Sequence, residues 1–174
     1  MLFLYLFDTF LKIYSLPFFI YNRVINAKKT YIMKRIHLQL FLYEMTHTLI
    51  ELEDLPSLSS RQATEFHEWY KTKRKLLNFE VHSQLWVKVN VDGFSTQLQL
   101  QPNGKLVEED LFTKKGIKGL WHVSDGFLFM KIISGEVIVE YQVIGSNINN
   151  IHSGFEYVNG ILSGYSKFIQ IKNN

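Results

Sequence analysis

The chain has 174 residues, with 19 Lys and Arg against 16 Asp and Glu, a formal net charge of +3 and no cysteine. That length suits one domain with a short appendage; 47% hydrophobic content is ordinary for a globular protein, and 20% charge is too little for a disordered one. Disulfide scaffolds, zinc-thiolate sites and cysteine nucleophiles are excluded, and so small a charge argues neither for nucleic acid nor for steering of anionic substrates.

The first element runs from Leu2 to Ile25 and is the most apolar stretch of the chain. Its polar residues Asp8, Lys12, Ser15 and Asn22 share one stripe at 3.6 residues per turn. Twenty-four helical residues span about 36 Å, enough for a hydrocarbon core of about 30 Å, although each of its two early charges costs about 2.5 to 3.5 kcal/mol at mid-membrane. The run Arg23, Lys28, Lys29, Lys34 and Arg35 follows with no acid between, which for a spanning segment holds the rest of the chain on the cytoplasmic side. A cleavable signal peptide fits poorly, because no Lys or Arg precedes the apolar stretch and Asp8 interrupts it. Three readings stand: a membrane-associated helix, a helix packed on the domain or a partner subunit, or a segment upstream of an equally serviceable start at Met33. Residues 1–32 form the apolar N-terminal region, 33–79 a helical region and 80–174 a β domain.

Between Ile36 and Leu55, alternation of Ile36, Leu38, Leu40 and Leu42 suits a strand, while Phe41, Met45, Leu49 and Leu52 suit a helix. Length favours the helix, ended by Pro56. Ser59 as N-cap with Gln62 three residues on forms a capping box for a second helix, its apolar face Ala63, Phe66, Trp69, Tyr70, Leu76 and Leu77. The cations of Lys71 to Lys75 then fall in the last turns, where they complement the helix dipole; nucleic-acid contact is the weaker reading of them.

All ten glycines fall at or after Gly93. Five turn pairs, Asp92-Gly93, Asn103-Gly104, Asp125-Gly126, Ser134-Gly135 and Asn159-Gly160, separate short alternating runs, and Asn-Gly or Asp-Gly supplies the positive φ that two-residue hairpins need. Up to eight strands result: 81–91, 94–101, 105–112, 119–123, 127–133, 136–144, 151–158 and 165–172. Alternation puts Leu85, Val87, Val89 and Val91, then Phe94, Thr96, Leu98 and Leu100, then Val137, Val139, Tyr141 and Val143 on the inner face, with Lys88, Asn90, Gln97, Gln99, Gln101, Glu140 and Gln142 outside. The fold class is α+β: N-terminal helices followed by an antiparallel up-and-down meander, closed as a small barrel or left as a strongly curved sheet.

The order Leu98-x-Leu100-x-Pro102-Asn103-Gly104-Lys105, then Gly119-Leu120-Trp121, then Asp125-Gly126-Phe127-Leu128 resembles the small lipocalin-like domains of bacteria across residues 83 to 144. True lipocalins carry their Gly-x-Trp on the first barrel strand, whereas Gly119-Leu120-Trp121 lies mid-meander. The resemblance implies a barrel that binds a small ligand or a partner, and it brings no catalytic residues.

Motifs for established chemistries are missing: no G-x-G-x-x-G, no phosphate-binding G-x-x-x-x-G-K, no G-x-S-x-G and no H-E-x-x-H. His47 and Glu51 have the spacing for isolated metal ligation, but an ion pair explains them better, so no metal or cofactor is implied. The densest polar group is Ile151 to Gly160, where His152 and Glu156 point to one face of a strand beside Ser153. Candidate binding residues are therefore Trp86, Trp121, His152, Glu156 and Tyr157. Two functions compete: a non-enzymatic binding or interaction protein taking a small apolar ligand or a protein partner, in the cytoplasm or at the cytoplasmic face of a membrane through residues 2–25; and a small enzyme using His152 and Glu156 with His122 or Asp125.

Overall fold

The computed structural model describes residues 18–171, with side chains from Tyr31 onward. Most of the apolar stretch from Leu2 to Ile25, and with it the membrane-helix reading, lies outside the described residues. Among the described residues no helix is long and apolar enough to cross a membrane.

Helix α1 (Phe18–Thr46) continues through the segment whose alternation suits a strand, so the helical reading of Ile36 onward holds as far as Thr46. The chain divides into two units between His37 and Leu38. In the first, the Arg35 guanidinium donates to the Tyr31 hydroxyl at 3.0 Å, one helical turn away, and lies over its ring.

The second unit begins with the last turns of α1. The helix stops at His47, which takes a left-handed φ of 54° while its N–H bonds the Tyr43 carbonyl. His47 and Glu51 therefore do not share a helix face, and the Glu51 carboxylate instead accepts the Leu162 N–H at 2.9 Å. A 3₁₀ turn (Leu52–Asp54) leads to α2 (Ser60–Tyr70), opened by the expected capping box: Ser59 accepts from the Gln62 N–H and Gln62 from the Ser59 N–H. Helix α2 ends at Tyr70, earlier than the sequence suggests, so Leu76 and Leu77 do not continue its face. The basic run is not a helix terminus either: β1 (Lys73–Arg74) pairs with a barrel strand instead. Phe41 joins the two helices edge-on to Phe66 at 5.4 Å and to Trp69 at 5.6 Å.

A five-residue helix, α3 (Asn78–His82), occupies the start of what the sequence suggests as the first long strand. The meander follows as β2 (Leu85–Asn90), β3 (Ser95–Leu100), β4 (Lys105–Asp110), β5 (Gly116–Ser124), β6 (Phe127–Ser134), β7 (Val137–Ser146), β8 (Ile151–Val158) and β9 (Ile161–Ile171). Each pairs antiparallel with the next, and β2 pairs with β9 from Leu85↔Ile171 to Asn90↔Ser166. The last pairing closes an eight-stranded up-and-down barrel. Asp125-Gly126 and Asn159-Gly160 have positive φ at both central residues, which is the reason those dipeptides sit there.

Cross-strand partners share a face, so the register identifies the interior. Trp86 faces Leu98 and Gln170, Lys88 faces Thr96 and Phe168, and Glu108 faces Leu98 and Ile117. Met130 faces Trp121 and Tyr141, and Tyr141 faces Glu156. Thr96, Leu98, Leu100, Val139, Tyr141 and Val143 point inward as the alternation predicts, whereas Phe94, in the turn before β3, and Val137, at the first position of β7, are exposed because the wall ends there. In β2 the phase is reversed: Trp86 and Lys88 are buried inside, while Leu85, Val87 and Val89 are half-exposed on the outside.

Candidate functional site

The barrel is finished differently at its two ends. At one end the segment carrying α3 plugs the lumen, with Leu76 and Val81 buried in the same cluster as Trp86, Leu98, Leu106, Leu128 and Phe168. The Trp86 indole N–H bonds the Val81 carbonyl at 2.9 Å, the Trp121 indole bonds the Gln101 carbonyl at 2.9 Å, and the Leu76 N–H bonds the Gly126 carbonyl at 2.9 Å. Gly126 has no alternative here, because a Cβ would meet the Lys75 side chain at 2.5 Å and its φ is +89°.

His152 belongs to this closed end and is fully buried. Its Nδ1 accepts the Ser146 N–H at 2.9 Å, which leaves Nε2 to donate to Gln170 Oε1 at 3.0 Å. Burial pushes its pKa down, with the Gln170 bond opposing and Arg74 and Lys73 adding to the fall. The ring is therefore a neutral imidazole whose two nitrogens are both committed to the fold.

At the other end the inward residues are only half-buried: Asn90, Thr96, Asp110, Val139, Glu156, Val158 and Gly164, with Ile117 exposed. Between the plug and this mouth the lumen is crossed by a polar floor that no strand pattern announces. Lys88 Nζ lies 2.5 Å from Glu108 Oε1 and 2.7 Å from the Tyr141 hydroxyl. Thr96 Oγ1 donates to Glu108 Oε1 at 2.7 Å, and the Tyr141 hydroxyl donates to Glu108 Oε2 at 3.4 Å, with Glu156 its cross-strand neighbour. Burial drives the Tyr141 phenol well above its ordinary value, reinforced by those two carboxylates, so it stays protonated. Lys88 comes from β2 and Tyr141 from β7, strands separated by β8 and β9 around the wall, so the contact spans the lumen.

The binding residues expected from sequence are thus distributed. Trp86, Trp121 and His152 lie at the closed end, Glu156 lies on the inner wall toward the mouth, and Tyr157 points outward beneath α1, donating to Gln39 Oε1 at 3.3 Å. His122 is exposed on the outer wall, its ring stacked on Phe129 at 5.1 Å, and Asp125 sits in a turn at the closed end. Lys88, Thr96, Glu108 and Tyr141 are absent from that expectation. The only local signal for them is a charge inside an otherwise apolar run, Lys88 within Leu85 to Val91 and Glu108 after Leu106-Val107.

A second polar cluster sits on the outer wall and fastens α1 to the barrel. Glu44 accepts from the Trp69 indole at 2.6 Å and from Ser153 Oγ at 2.9 Å, with Lys73 and Lys167 each at 3.4 Å. Burial alone would raise the Glu44 pKa; the Trp69 donor, the two lysines and Ser153 outweigh it, and the carboxyl ends below its usual range. Lys167 Nζ also reaches Ser153 Oγ at 2.9 Å. Burial pulls the Lys167 pKa down, but Tyr165 and Glu44 outweigh it and raise it, which favours the charged ammonium. This cluster holds the last turns of α1 in place. Among the described residues no group of three or more His, Asp or Glu is arranged to hold a metal.

Comparison with protein-family models, with curated proteins and with solved structures finds no match for this chain.

Proposed function

We propose that the barrel is a non-enzymatic binding module of lipocalin-like action, taking a small ligand with apolar character through its mouth and stopping it on the polar floor. The observation that carries this reading is the gradient of burial along the inner wall: sealed around Trp86, Trp121 and His152, half-open around Asn90, Thr96, Val139 and Glu156. A lumen needed only for stability gains nothing from leaving inward residues half-exposed, since each fully buried apolar side chain contributes about 1.5 to 3 kcal/mol. Ligand sites in small barrels lie at their mouths, with a few polar groups set among apolar ones. Catalysis by His152 and Glu156 has less support, because an imidazole with both nitrogens engaged has no lone pair to offer a substrate. For location, the apolar stretch from Leu2 followed by five cations supports attachment at the cytoplasmic face of a membrane.

Titration of the full chain with Nile red, a neutral apolar fluorophore, tests the reading. Saturable one-to-one binding is expected, lost in Val139→Trp, which fills the lumen above the floor, with the unfolding midpoint little changed. Binding that does not saturate, or that survives Val139→Trp, rejects it.

A further inference from the structure

The mouth half of the lumen has an unbalanced charge. Among the described residues one cation, Lys88, faces inward there, and it is committed to Glu108 and to the Tyr141 hydroxyl. Two carboxylates share the floor, Glu108 and Glu156. A third inward acid, Asp110, is tied to its own loop by the Phe112 and Thr113 N–H groups at 2.9 and 2.6 Å. Glu156 accepts a hydrogen bond from the Ser163 hydroxyl at 3.4 Å and lies cross-strand from Tyr141. Among the described residues no cation lies within ion-pair distance of it. A half-buried carboxylate served only by neutral donors is poorly compensated for its lost hydration, and a cation beside it is the strongest available remedy.

The wall next to Glu156 is bare as well. Gly164 is its cross-strand partner, and a Cβ built on Gly164 would meet only the Glu156 Cβ, at 3.8 Å. Its φ is not in the left-handed region, so neither backbone conformation nor a close approach requires glycine there. By contrast Gly154, one step deeper in β8, is forced, because a Cβ there would lie 2.8 Å from the Gln142 carbonyl. The space beside Glu156 is therefore free of any demand from the fold.

We propose that this space receives the head of a cationic amphiphile: an alkylammonium group paired with Glu156 against the Tyr141 hydroxyl, its chain directed past Val139 and Val158 to the mouth. The inference rests on the binding-module reading and specifies its ligand class. The lumen chooses by charge, and the apolar side chains at the mouth, Val139, Val158 and Ile117, accept the chain without regard to its head.

Three ligands of one chain length, decyltrimethylammonium, decanol and decanoate, are titrated calorimetrically into the full chain below their micellar concentrations. The ammonium is expected to bind about tenfold tighter than the alcohol, as suits one charge-assisted contact, and decanoate weakest. Glu156→Gln should erase the preference for the ammonium and leave decanol unchanged, while Glu156→Asp, which keeps the charge, should preserve most of it. Circular dichroism of both variants shows whether the barrel is intact, and Asp alone decides should Gln fail to fold: equal binding of ammonium and alcohol by Glu156→Asp overturns the proposal. Decanol and decanoate binding as well as the ammonium to the unmodified chain overturns the head-group inference and leaves the binding module standing. Failure of all three ligands and of Nile red overturns both.

Discussion

At its closed end the barrel sets two tryptophans, a histidine and a short helix into mutual contact and gives every polar atom named there a partner inside the fold. At its mouth the same strands carry Asn90, Thr96, Glu156 and Gly164 inward and leave them half-exposed. Strand length does not explain the contrast, since β7 and β9 run the full height of the wall. What differs is the chain that comes before the barrel: the segment carrying α3 fills one end with Leu76 and Val81, whereas at the other Glu51 meets the rim at Leu162. Depth of burial thus separates the part of the interior that stabilises from the part left available for a ligand.

The comparison predicts a ladder of effects. Trp86→Ala at the closed end should be the most damaging, removing a fully buried indole and its bond to Val81; about 3 to 5 kcal/mol of stability is expected to disappear in urea unfolding. A loss below about 1 kcal/mol would mean that this end is less tightly built than its contacts imply.

The floor comes next. Lys88→Met leaves Glu108 buried without its cation and should destabilise by about 3 kcal/mol, whereas the double variant Lys88→Met with Glu108→Leu should recover most of that. Thermal unfolding of the two singles and the double completes the cycle, and purely additive losses would show that the floor is not a coupled unit.

Acidification should affect the closed end through His152. Its pKa is held down in the fold, so the unfolded chain takes up the proton first as pH falls through about 6.5. The stability from the neutral ring is therefore present in full above that value and is lost below it, by up to about 1.4 kcal/mol per pH unit. Unfolding midpoints of the parent and of His152→Gln at about pH 7.5 and about pH 5.5 measure this, and the variant should show the shallower dependence.

Smallest of all should be Phe112→Ser at the mouth. Its side chain is 88% exposed, and a change within about 0.5 kcal/mol is expected. A larger destabilisation would show that the mouth loops contribute to the fold after all.

Much of the scaffold could be read from the chain because its determinants are local. The Asp-Gly and Asn-Gly pairs need positive φ wherever they occur, and the Ser59 and Gln62 box closes within three residues, so neither depends on the rest of the molecule. The phase of β2 could not be read this way. Leu85, Val87 and Val89 make the better apolar stripe, and the barrel turns Trp86 and Lys88 inward because Lys88 finds Tyr141, 53 residues away, across the lumen. The plug was hidden for another reason: α3 is shorter than two turns, too short for a helical period to register. Of the expected site residues, Trp86, Trp121 and His152 proved to be deep in the interior, and the floor beneath Glu156 depends on pairings that no window of sequence contains.

The pairing of β2 with β9 also has a consequence for the order in which the molecule can be completed. Leu85 and Ile171 are neighbours in space at opposite ends of the barrel sequence, so the wall has an open seam until the final strand has emerged from the ribosome. The outer surface that receives α1 is formed by Ser153, Phe155, Tyr165 and Lys167, all in the last two strands. The last turns of the helix are thus synthesised early and dock late: Phe41 can meet Phe66 and Trp69 at once, but Tyr43 lacks Phe155 and Tyr165 for most of translation. A chain stopped before β9 would lose barrel closure and helix docking together, leaving the exposed edges of β2 and β8 as templates for association between nascent copies.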